Sequence, residues 1–385
     1  MKIAHINMIF SKGRMSGVEK KLIDEAAAMV KNGIEVYLLN REKDGFENNI
    51  HYINMDNFLL TKTFSELFLR SFRYNIIDHF INLSKYDYII LRYLLLDFSA
   101  FGFAKKYKDK LITEHHTKEL QEIKVLNVPE PFKSVQYYLE KYGARFFFKY
   151  IYGVIGISSD VVETLKSRID NPQIKSFVFS NGIALNNQPN RTIPEVNTNF
   201  NILFVASVFN NWHGLDRLLQ SAQIYTGKYS LVLHLVGKID TKYDSMIKDC
   251  QTTHCNIIQY GTLNQMELQK IYPKIHVACD SLAMFRIGMT ESSTLKSKEY
   301  ILHQLPFIYS APDPDLVDLK PYLFMSKNEN SLINFEDIIK QYLSLDRKQM
   351  SLDFQICLQE TLSWDVKVKK LIQWINNNNN NKETL

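Results

Sequence analysis

Two glutamates separated by eight positions, Glu291 and Glu299, are the most specific chemical feature of the sequence. A helix that begins near Thr294 places Glu299 one to two turns inside it and leaves Glu291 in the preceding loop. Such carboxylates accept hydrogen bonds from sugar or ribose hydroxyls, while Ser292, Ser293 and the free amides of the helix N-terminus hold phosphate oxygens. The segment therefore predicts a site for a ligand that carries both hydroxyls and phosphates.

In the first half of the chain, polar residues stand where predicted strands end. Arg92 follows strand 88–91, and His115 and His116 follow strand 110–113. His116 can exchange a hydrogen bond with a hydroxyl, and Arg92 can hold an anion or a carboxylate. The alternatives are a structural His116, a solvated His115 and a salt bridge from Arg92 to a neighbouring acid.

The turn after the first predicted strand is rich in small residues. Gly13, Ser16 and Gly17 allow the backbone to approach a ligand, and the helix that follows offers free N–H groups. The dinucleotide pattern G-x-G-x-x-G and the P-loop pattern are both absent from the sequence. A plain βα turn is the alternative interpretation.

Short apolar runs alternate with amphipathic stretches, which is typical of strands and helices in turn. Strand 3–10, helix 18–31 and strand 34–39 make one β-α-β unit, which implies parallel strands and a right-handed crossover. Runs such as YIIL and VIGI lack strict alternation, as expected of strands covered on both faces. The predicted fold class is α/β, with doubly wound sheets.

The alternation stops once and then restarts, which predicts two domains. Residues 1–183 form the first Rossmann-like domain, residues 184–200 a polar linker and residues 201–362 the second Rossmann-like domain. The Asn-rich tail 376–385 is expected to be disordered. Two such domains are expected to face a central cleft at the carboxyl ends of their sheets, where ligands bind in open α/β folds.

Composition excludes several classes of protein. Of the 385 residues, 45% are hydrophobic, and 14 Gly and 10 Pro are too few for a collagen-like or linker-like chain. The net charge of +5 is mild, so no nucleic-acid partner is predicted. The positive surplus lies in residues 1–184, which contain 26 Lys and Arg against 21 Asp and Glu. It suits an anionic partner of the first half or a solvated surface.

The cysteines and the apolar stretches bear on location. The four cysteines form no C-x-x-C pair, so neither a disulfide framework nor a zinc site is predicted, and no metal site or cofactor is expected. The longest apolar region, 86–104, is interrupted by charges, and the first residues lack a signal-peptide core. The expected location is the cytoplasm, with at most peripheral contact with the inner membrane surface.

A basic and aromatic stretch at residues 132–152 is the candidate for that contact. Lys133, Lys141, Arg145 and Lys149 are interleaved with seven Tyr and Phe side chains between residues 137 and 150. A helix of this composition can lie on an anionic membrane, which suits a lipid-linked acceptor. The alternative is that the aromatic side chains belong to the core.

Several motifs, taken in order along the chain, resemble the retaining GT-B glycosyltransferases, the family often called glycosyl transferases group 1. They are Ser16-Gly17-Val18-Glu19, Asn181-Gly182-Ile183, Trp212-His213-Gly214-Leu215-Asp216 and the Glu291–Glu299 pair. The resemblance covers most of the chain, from Ile3 to the segment 363–365.

The resemblance implies a nucleotide-sugar in the second domain and an acceptor mainly in the first. Glu299 would hold the ribose, Glu291 would face the transferred sugar, and His116 would contact the sugar or acceptor. Gly13, Ser16 and Gly17 would approach the diphosphate and acceptor. A last helix, about 364–375, would cross back onto the first domain.

One departure from the family concerns the cations that grip the diphosphate. Where the family commonly has Gly-Arg and Lys-Gly, this sequence has Ala206-Ser207 and His213-Gly214. A departing diphosphate needs positive charge or oriented donors. The candidate replacements are Arg286, Lys296 and Lys298, although the two lysines could instead form a solvated helix face.

The sequence thus predicts a retaining, metal-independent glycosyltransferase. Its donor would be a nucleotide-sugar and its acceptor a glycan or polyprenyl-linked glycan, in cell-surface polysaccharide synthesis. The alternatives are a nucleotide-sugar epimerase or phosphorylase, and a sugar-binding scaffold without catalysis.

Overall fold

A computed structural model describes residues 1–10, 17–58, 69–125, 129–169, 174–185 and 194–380. The chain divides into two compact units. Unit 1 comprises Met1–Ser180 and Trp364–Leu385, and unit 2 comprises Asn181–Ser363. Each unit has a predominantly parallel sheet with helices along the chain between strands, which confirms the predicted α/β class.

Eight strands form the sheet of unit 1 in the described part of the chain. They are β1 (Ile3–Met8), β2 (Glu35–Asn40), β3 (Gly45–Glu47), β4 (Ile50–Asn54), β5 (Tyr88–Arg92), β6 (Leu111–His115), β7 (Gly153–Gly156) and β8 (Lys175–Val178). Their order is β3-β4-β2-β1-β5-β6-β7-β8, with β3 alone antiparallel to its neighbour. The strand order changes direction between β1 and β5, and open α/β sheets bind ligands at such a switch point.

The helices of this part of unit 1 follow the apolar pattern of the sequence. They are α1 (Gly17–Lys31), α2 (Arg73–Phe80), α3 (Ala100–Lys106), α4 (Glu119–Val125), α5 (Phe132–Tyr138), α6 (Ala144–Phe148) and α7 (Ser159–Arg168). In α1, Leu22, Ala26 and Met29 are buried at helical spacing. Gly33 then adopts a φ of 84°, which ends the helix before β2 as the Asn32-Gly33 pair predicts.

Unit 2 is built on a second sheet whose strands are all parallel. Its strands are β9 (Asn199–Val208), β10 (Ser230–Lys238), β11 (Cys255–Gly261), β12 (Val277–Cys279), β13 (Phe307–Tyr309) and β14 (Phe324–Met325), in the order β11-β10-β9-β12-β13-β14. Its α-helices within the described residues are α8 (Leu215–Gln223), α9 (Asp244–Cys250), α10 (Gln265–Gln269), α11 (Leu295–Leu302), α12 (Phe335–Leu343) and α13 (Arg347–Cys357). Strand β9 includes Asn199 and Phe200, which the sequence assigned to the linker.

The last helix, α14 (Trp364–Asn380), belongs to unit 1. Trp364, Val368, Leu371 and Ile375 are buried along one face and join the core that contains Ile3 and Ala26. The helix continues through Asn376–Asn380, which the sequence assigned to a disordered tail. Contacts with unit 1 explain the difference: Tyr88 Oη donates to Asn379 Oδ1 at 2.6 Å, and Lys175 Nζ donates to the Asn378 carbonyl at 2.8 Å. Residues 381–385 lie outside the described part of the chain.

Among the described residues, no helix is both long and apolar enough to cross a membrane. The basic and aromatic stretch folds as α5, a five-residue π-turn (Leu139–Gly143) and α6. Phe147 and Phe148 are buried, whereas Phe132, Tyr138, Tyr142 and Phe146 are each more than half exposed. The core interpretation holds for Phe147 and Phe148, whereas the exposed rings leave membrane contact a prediction.

Candidate functional site

In unit 1, a buried polar cluster lies at the carboxyl end of the sheet, beside the switch point. His5 on β1, Glu25 on α1 and Glu114 on β6 are all nearly inaccessible to solvent. His5 Nε2 lies 3.2 Å from Glu114 Oε2 and 3.7 Å from Glu25 Oε1. Lys21 Nζ lies 3.3 Å from Glu25 Oε2 and 3.9 Å from Glu114 Oε1, so the lysine partly neutralises both acids.

The two acids of this cluster differ in pKa. Burial, and then the neighbouring charge of Glu114, raises the pKa of Glu25. Burial acts on Glu114 too, but the surrounding His116, His5 and Lys21 hold the pKa of Glu114 well below its usual value. Glu114 is therefore the charged acid of the pair, and Glu25 is the first to be protonated as the pH falls.

The predicted contact residue His116 lies at the edge of this cluster. Its Nε2 is 2.8 Å from Glu114 Oε1, and its Nδ1 is 3.5 Å from Lys21 Nζ. Burial, followed by the charges of Lys21 and Arg92, lowers the pKa of His116 to about 3. The ring is consequently neutral near pH 7, and both of its nitrogens lie beside side chains of the protein itself.

His115 points to the other side of β6 and is buried, not solvated. Its Nδ1 lies 2.5 Å from Glu119 Oε1 and its Nε2 lies 2.8 Å from Thr113 Oγ1. Arg168 connects this histidine's partner Glu119 to the buried Glu140, at 2.6 and 2.7 Å. This second network holds the end of β6 rigidly, which makes the role of His115 structural.

Arg92 ends β5 between β1 and β6, in register with Glu114. The salt bridge that its alternative interpretation requires is not formed: Arg92 makes no hydrogen bond or ion pair with the described residues, and its Nη1 is buried without a hydrogen-bond partner. Gly17, also predicted for this side, is the exposed first residue of α1. Gly13 and Ser16 lie outside the described residues.

In unit 2, the Glu291–Glu299 segment lies at the carboxyl ends of β12 and β13. Thr294 caps α11 by accepting a hydrogen bond from the Ser297 amide, and its hydroxyl donates to Asp280 Oδ1 at 2.8 Å. Glu291 lies in the loop before the helix, and Glu299 is half-buried in the second turn, as predicted.

Two hydroxyls in this loop are buried without hydrogen-bond partners. They are Ser292 Oγ and Ser293 Oγ, and Asn181 donates to the backbone carbonyl of Ser293 at 2.5 Å. Buried hydroxyls without partners are costly, so such atoms mark places where a ligand or water completes the bonding. Their position just before the N-terminus of α11 suits an anion.

Lys296, in the first turn of α11, is the predicted cation that fits this place. Its Nζ lies 3.2 Å from Ser281 Oγ and 3.6 Å from Asp280 Oδ1. Burial lowers its pKa. His213, where the family commonly has a lysine, has a pKa lowered to about 3 by burial and by Lys296. His213 therefore supplies no charge near pH 7, and Lys296 is the cation beside it.

The other two predicted cations are occupied elsewhere. Arg286 forms a bidentate pair with Asp216, at 2.9 and 2.7 Å, and also donates to the Asn211 carbonyl and to Asn330. Lys298 is fully buried and pairs with Asp313 and Asp315. Nearby carboxylates already offset the positive charge of both side chains. Arg286 and Lys298 therefore stabilise contacts within unit 2.

A cavity of about 190 Å³ adjoins Glu291 within unit 2. Its polar wall is formed by Asp280, Glu291 and Asp313, and its apolar wall includes Phe307, Tyr309 and Leu316. The cavity is partly open to solvent, and it places the half-buried Glu291 where it can accept a hydrogen bond from a ligand hydroxyl.

Sequence reasoning missed Lys21 and Glu25, and it named Glu114 only as the start of the segment with His115 and His116, without a role. The signal was present for Glu25, because it occurs three residues after Leu22 on the apolar face of α1. An acid on a buried helix face requires a partner from another element. The identity of that partner is set by the pairing of β1 and β6 with their neighbours, which local spacing does not reveal.

No model of a protein family matches the sequence, and no curated protein sequence matches it significantly. Solved structures do match over nearly the whole chain. Sucrose-phosphate synthase from Thermosynechococcus elongatus has a TM-score of 0.66 at 15% identity, covering 98% of both chains. The lipopolysaccharide outer core galactosyltransferase WaaB has a TM-score of 0.62 at 13% identity, covering 98% of this chain and 100% of its own.

A third similar structure was solved with ligands. Anabaena HepE in complex with UDP and glucose has a TM-score of 0.60 at 14% identity, covering 98% of this chain and 100% of its own. Identities this low establish architecture alone. The two α/β units and their agreement with these structures give this chain the GT-B fold of the glycosyltransferases, as the motifs implied.

Proposed function

We propose that this protein is a retaining glycosyltransferase that moves a sugar from a nucleotide-sugar to a glycan or polyprenyl-linked glycan, in cell-surface polysaccharide synthesis. The GT-B fold and the position of Glu291 and Glu299 at the carboxyl end of the unit 2 sheet support the proposal. In the transfer, the bond from the anomeric carbon to the diphosphate breaks and a bond to an acceptor oxygen forms. The acceptor proton leaves with the diphosphate.

One observation carries the proposal. The unpartnered hydroxyls of Ser292 and Ser293 and the ammonium of Lys296 occur within five residues at the start of α11. A dianionic diphosphate offers acceptor oxygens for all three groups, and the helix N-terminus adds a partial positive charge. Lys296 is shared with Asp280 at 3.6 Å, a longer contact than the carboxylate pairs of Arg286 and Lys298, so it is the cation of the three that is best placed to turn toward a diphosphate.

The remaining roles follow from position. Glu299 would accept hydrogen bonds from the ribose, and Glu291 from the transferred sugar beside the cavity. Gly17 is assigned to the donor diphosphate, and Gly13, Ser16 and Arg92 are assigned to the acceptor side. His116 is assigned to the sugar or acceptor, and this contact requires its ring to exchange Glu114 or Lys21 for the ligand.

We propose that no metal ion is needed for the departure of the diphosphate. Lys296 and the N-terminus of α11 put positive charge where negative charge develops in the transition state. Arg286 contributes less to diphosphate binding than the sequence predicts, because its guanidinium already forms a bidentate pair with Asp216.

The experiment that tests this function measures nucleotide release from a panel of donors, beginning with UDP-sugars because HepE was solved with UDP. A transferase releases nucleoside diphosphate when acceptor is present. An epimerase changes the donor sugar without release, and a scaffold does neither, so either result contradicts the proposal.

A variant pair sharpens the test. Lys296→Gln is expected to weaken inorganic pyrophosphate binding about 10- to 100-fold, the usual worth of a hydrogen bond to a charged group. The matched control is Lys270→Gln, since Lys270 is an exposed lysine of the same unit. Equal pyrophosphate affinity in both variants would contradict the assignment of Lys296.

We also propose that the protein works in the cytoplasm, in peripheral contact with the inner membrane face. The exposed rings of Phe132, Tyr138, Tyr142 and Phe146 share a segment with Lys133, Lys141, Arg145 and Lys149, so apolar insertion and attraction to anionic lipid can act together. Changing Lys141, Arg145 and Lys149 to Glu is expected to reduce co-sedimentation with anionic vesicles. Unchanged co-sedimentation would contradict membrane contact through this segment.

A further inference from the structure

Buried polar atoms without partners are concentrated at one place in unit 1. Of the eleven side-chain atoms that lack a hydrogen bond among the described residues, seven belong to His5, Asn7, Glu25, Arg92, Glu114 and His116. The atoms on Glu25, Glu114 and His116 lie within ion-pair distance of neighbours, which leaves His5 Nδ1, Asn7 Oδ1 and Arg92 Nη1 without either kind of contact. Proteins rarely leave buried polar atoms unpaired, and a concentration of them points to a bound group. The cluster lies beside the β1–β5 switch point, where an open sheet accepts a ligand.

A metal ion fits this cluster poorly. His5, Glu25 and Glu114 bring one ligand atom each within 4.8 Å of one another. However, Lys21 Nζ already lies 3.3 Å from Glu25 and 3.9 Å from Glu114. A divalent cation would have to compete with Lys21 for both acids, in a buried site that also holds the positive charge of Arg92.

Arg92 is the cation of this cluster that forms no ion pair or hydrogen bond with the described residues, although its charge acts on the nearby Glu25 and His116. Lys21 is paired with both acids, whereas no carboxylate among the described residues lies within ion-pair distance of Arg92. Glu114, its neighbour on β6, is turned toward His5 and His116 instead. A half-buried guanidinium with a fully buried, unpaired Nη1 is strongly disfavoured unless an anion completes it.

Asn7, on the strand next to Arg92, adds hydrogen-bonding capacity. The β1–β5 register pairs Ile6 with Leu91, so Asn7 lies beside Arg92 on the same face of the sheet. Asn7 Oδ1 is buried without a donor. A ligand that places an anionic group on Arg92 can therefore also donate a hydroxyl to Asn7.

We propose that Arg92 binds an anionic group, a carboxylate or a phosphate, on the acceptor. This inference rests on the proposed function and deepens it: the acceptor is an acidic sugar or a phosphorylated sugar, not a neutral one. The guanidinium is suited to both groups because its N–H donors match two oxygens at once. The positive surplus of residues 1–184 favours the approach of such an acceptor.

The test observes Arg92 directly, by NMR of the arginine side-chain Nε–H groups in the whole protein. The Arg92 resonance is identified by its loss in Arg92→Lys. Titration with D-glucuronate, with glucose 6-phosphate and with glucose then separates the carboxylate, phosphate and neutral cases. The expected result is a saturable shift of the Arg92 resonance with one or both acids and none with glucose.

The matched control is Arg145, an exposed arginine of the same unit, identified through Arg145→Lys. Its resonance is expected to stay in place at acid concentrations that shift Arg92. Equal shifts of both resonances, no shift of Arg92, or a shift with glucose as large as with the acids would overturn the proposal. Because no donor is present, failure of glycosyl transfer itself would appear separately, in the nucleotide-release assay.

Discussion

The burial of His116 lowers its pKa, and this makes the free energy of unfolding depend on pH. Its pKa is about 3 in the folded chain, against an ordinary value of 6.5. Between these values the unfolded state binds a proton that the folded state does not. Stability therefore rises with pH across this window and is lost as the pH falls below 6.5, by about 1 kcal/mol per pH unit for one such group.

Replacing this ring tests the attribution. His116→Gln is expected to make the decline of the free energy of unfolding between pH 6.5 and 5 shallower than in the parent protein. Urea denaturation at several pH values measures it, with His254→Gln, in the turn before β11, as the control. An unchanged slope in His116→Gln would show that other groups cause the acid sensitivity.

Glu299 can be separated from the diphosphate site by the choice of ligand. Glu299→Ala is expected to weaken UDP binding about 10-fold or more, because the ribose loses hydrogen bonds to a charged acceptor. Affinity for inorganic pyrophosphate, which has no ribose, is expected to stay the same. Calorimetric titration with both ligands measures this, and equal loss for the two would refute the ribose assignment.

At the scale of single elements, the cap of α11 positions the donor loop. Thr294 holds both the Ser297 amide and Asp280 Oδ1. Thr294→Ala is expected to lower the free energy of unfolding by about 1 kcal/mol, the usual cost of losing a helix cap. Thr294→Ser keeps the hydroxyl and is expected to retain most of it. Equal losses in the two variants by urea denaturation would show that the methyl group matters more than the cap.

The elements were more predictable than the contacts between them. The segment from β1 through α1 to β2 could be predicted, because hydrophobic periodicity and the Asn32-Gly33 helix ending are local signals. The α11 helix and the position of Glu299 were readable for the same reason. The pairing of Arg286 with Asp216, seventy residues apart, depends on tertiary packing, so local sequence could not show that this cation is already occupied.

The run of asparagines in α14 is a second case in which tertiary contacts decided the outcome, here by forming a helix where local sequence predicts disorder. Consecutive asparagines have poor intrinsic helix propensity, which favours the prediction of disorder. Tertiary hydrogen bonds from Tyr88 and Lys175 to Asn379 and Asn378 override that propensity. Composition alone does not contain these partners.

At the scale of the whole molecule, unit 1 depends on a helix that follows unit 2 in the chain. Deleting residues 364–385 removes the buried apolar side chains of Trp364, Val368, Leu371 and Ile375. At about 1.5 to 3 kcal/mol each, this loss approaches the entire stability of a typical domain. Unit 1 is expected to unfold, while unit 2, whose strands and helices all lie within 181–363, stays folded.

Hydrogen exchange with mass spectrometry resolves the two outcomes peptide by peptide. The matched control is deletion of 376–385 alone, which keeps the four apolar side chains and is expected to preserve most of the protection in unit 1. Retained protection of β1 and α1 peptides in the longer deletion would mean that α14 is dispensable.

The placement of α14 also sets an order of events during synthesis. Ile3, Ala26 and Met29 leave the ribosome early, but their cover at Trp364–Ile375 is made only after all of unit 2. At about 5 to 20 residues per second, the nascent chain holds this apolar surface uncovered for roughly 17 to 70 s. Unit 2 can complete its fold first, and the early part of unit 1 is the stretch on which a nascent-chain chaperone would act.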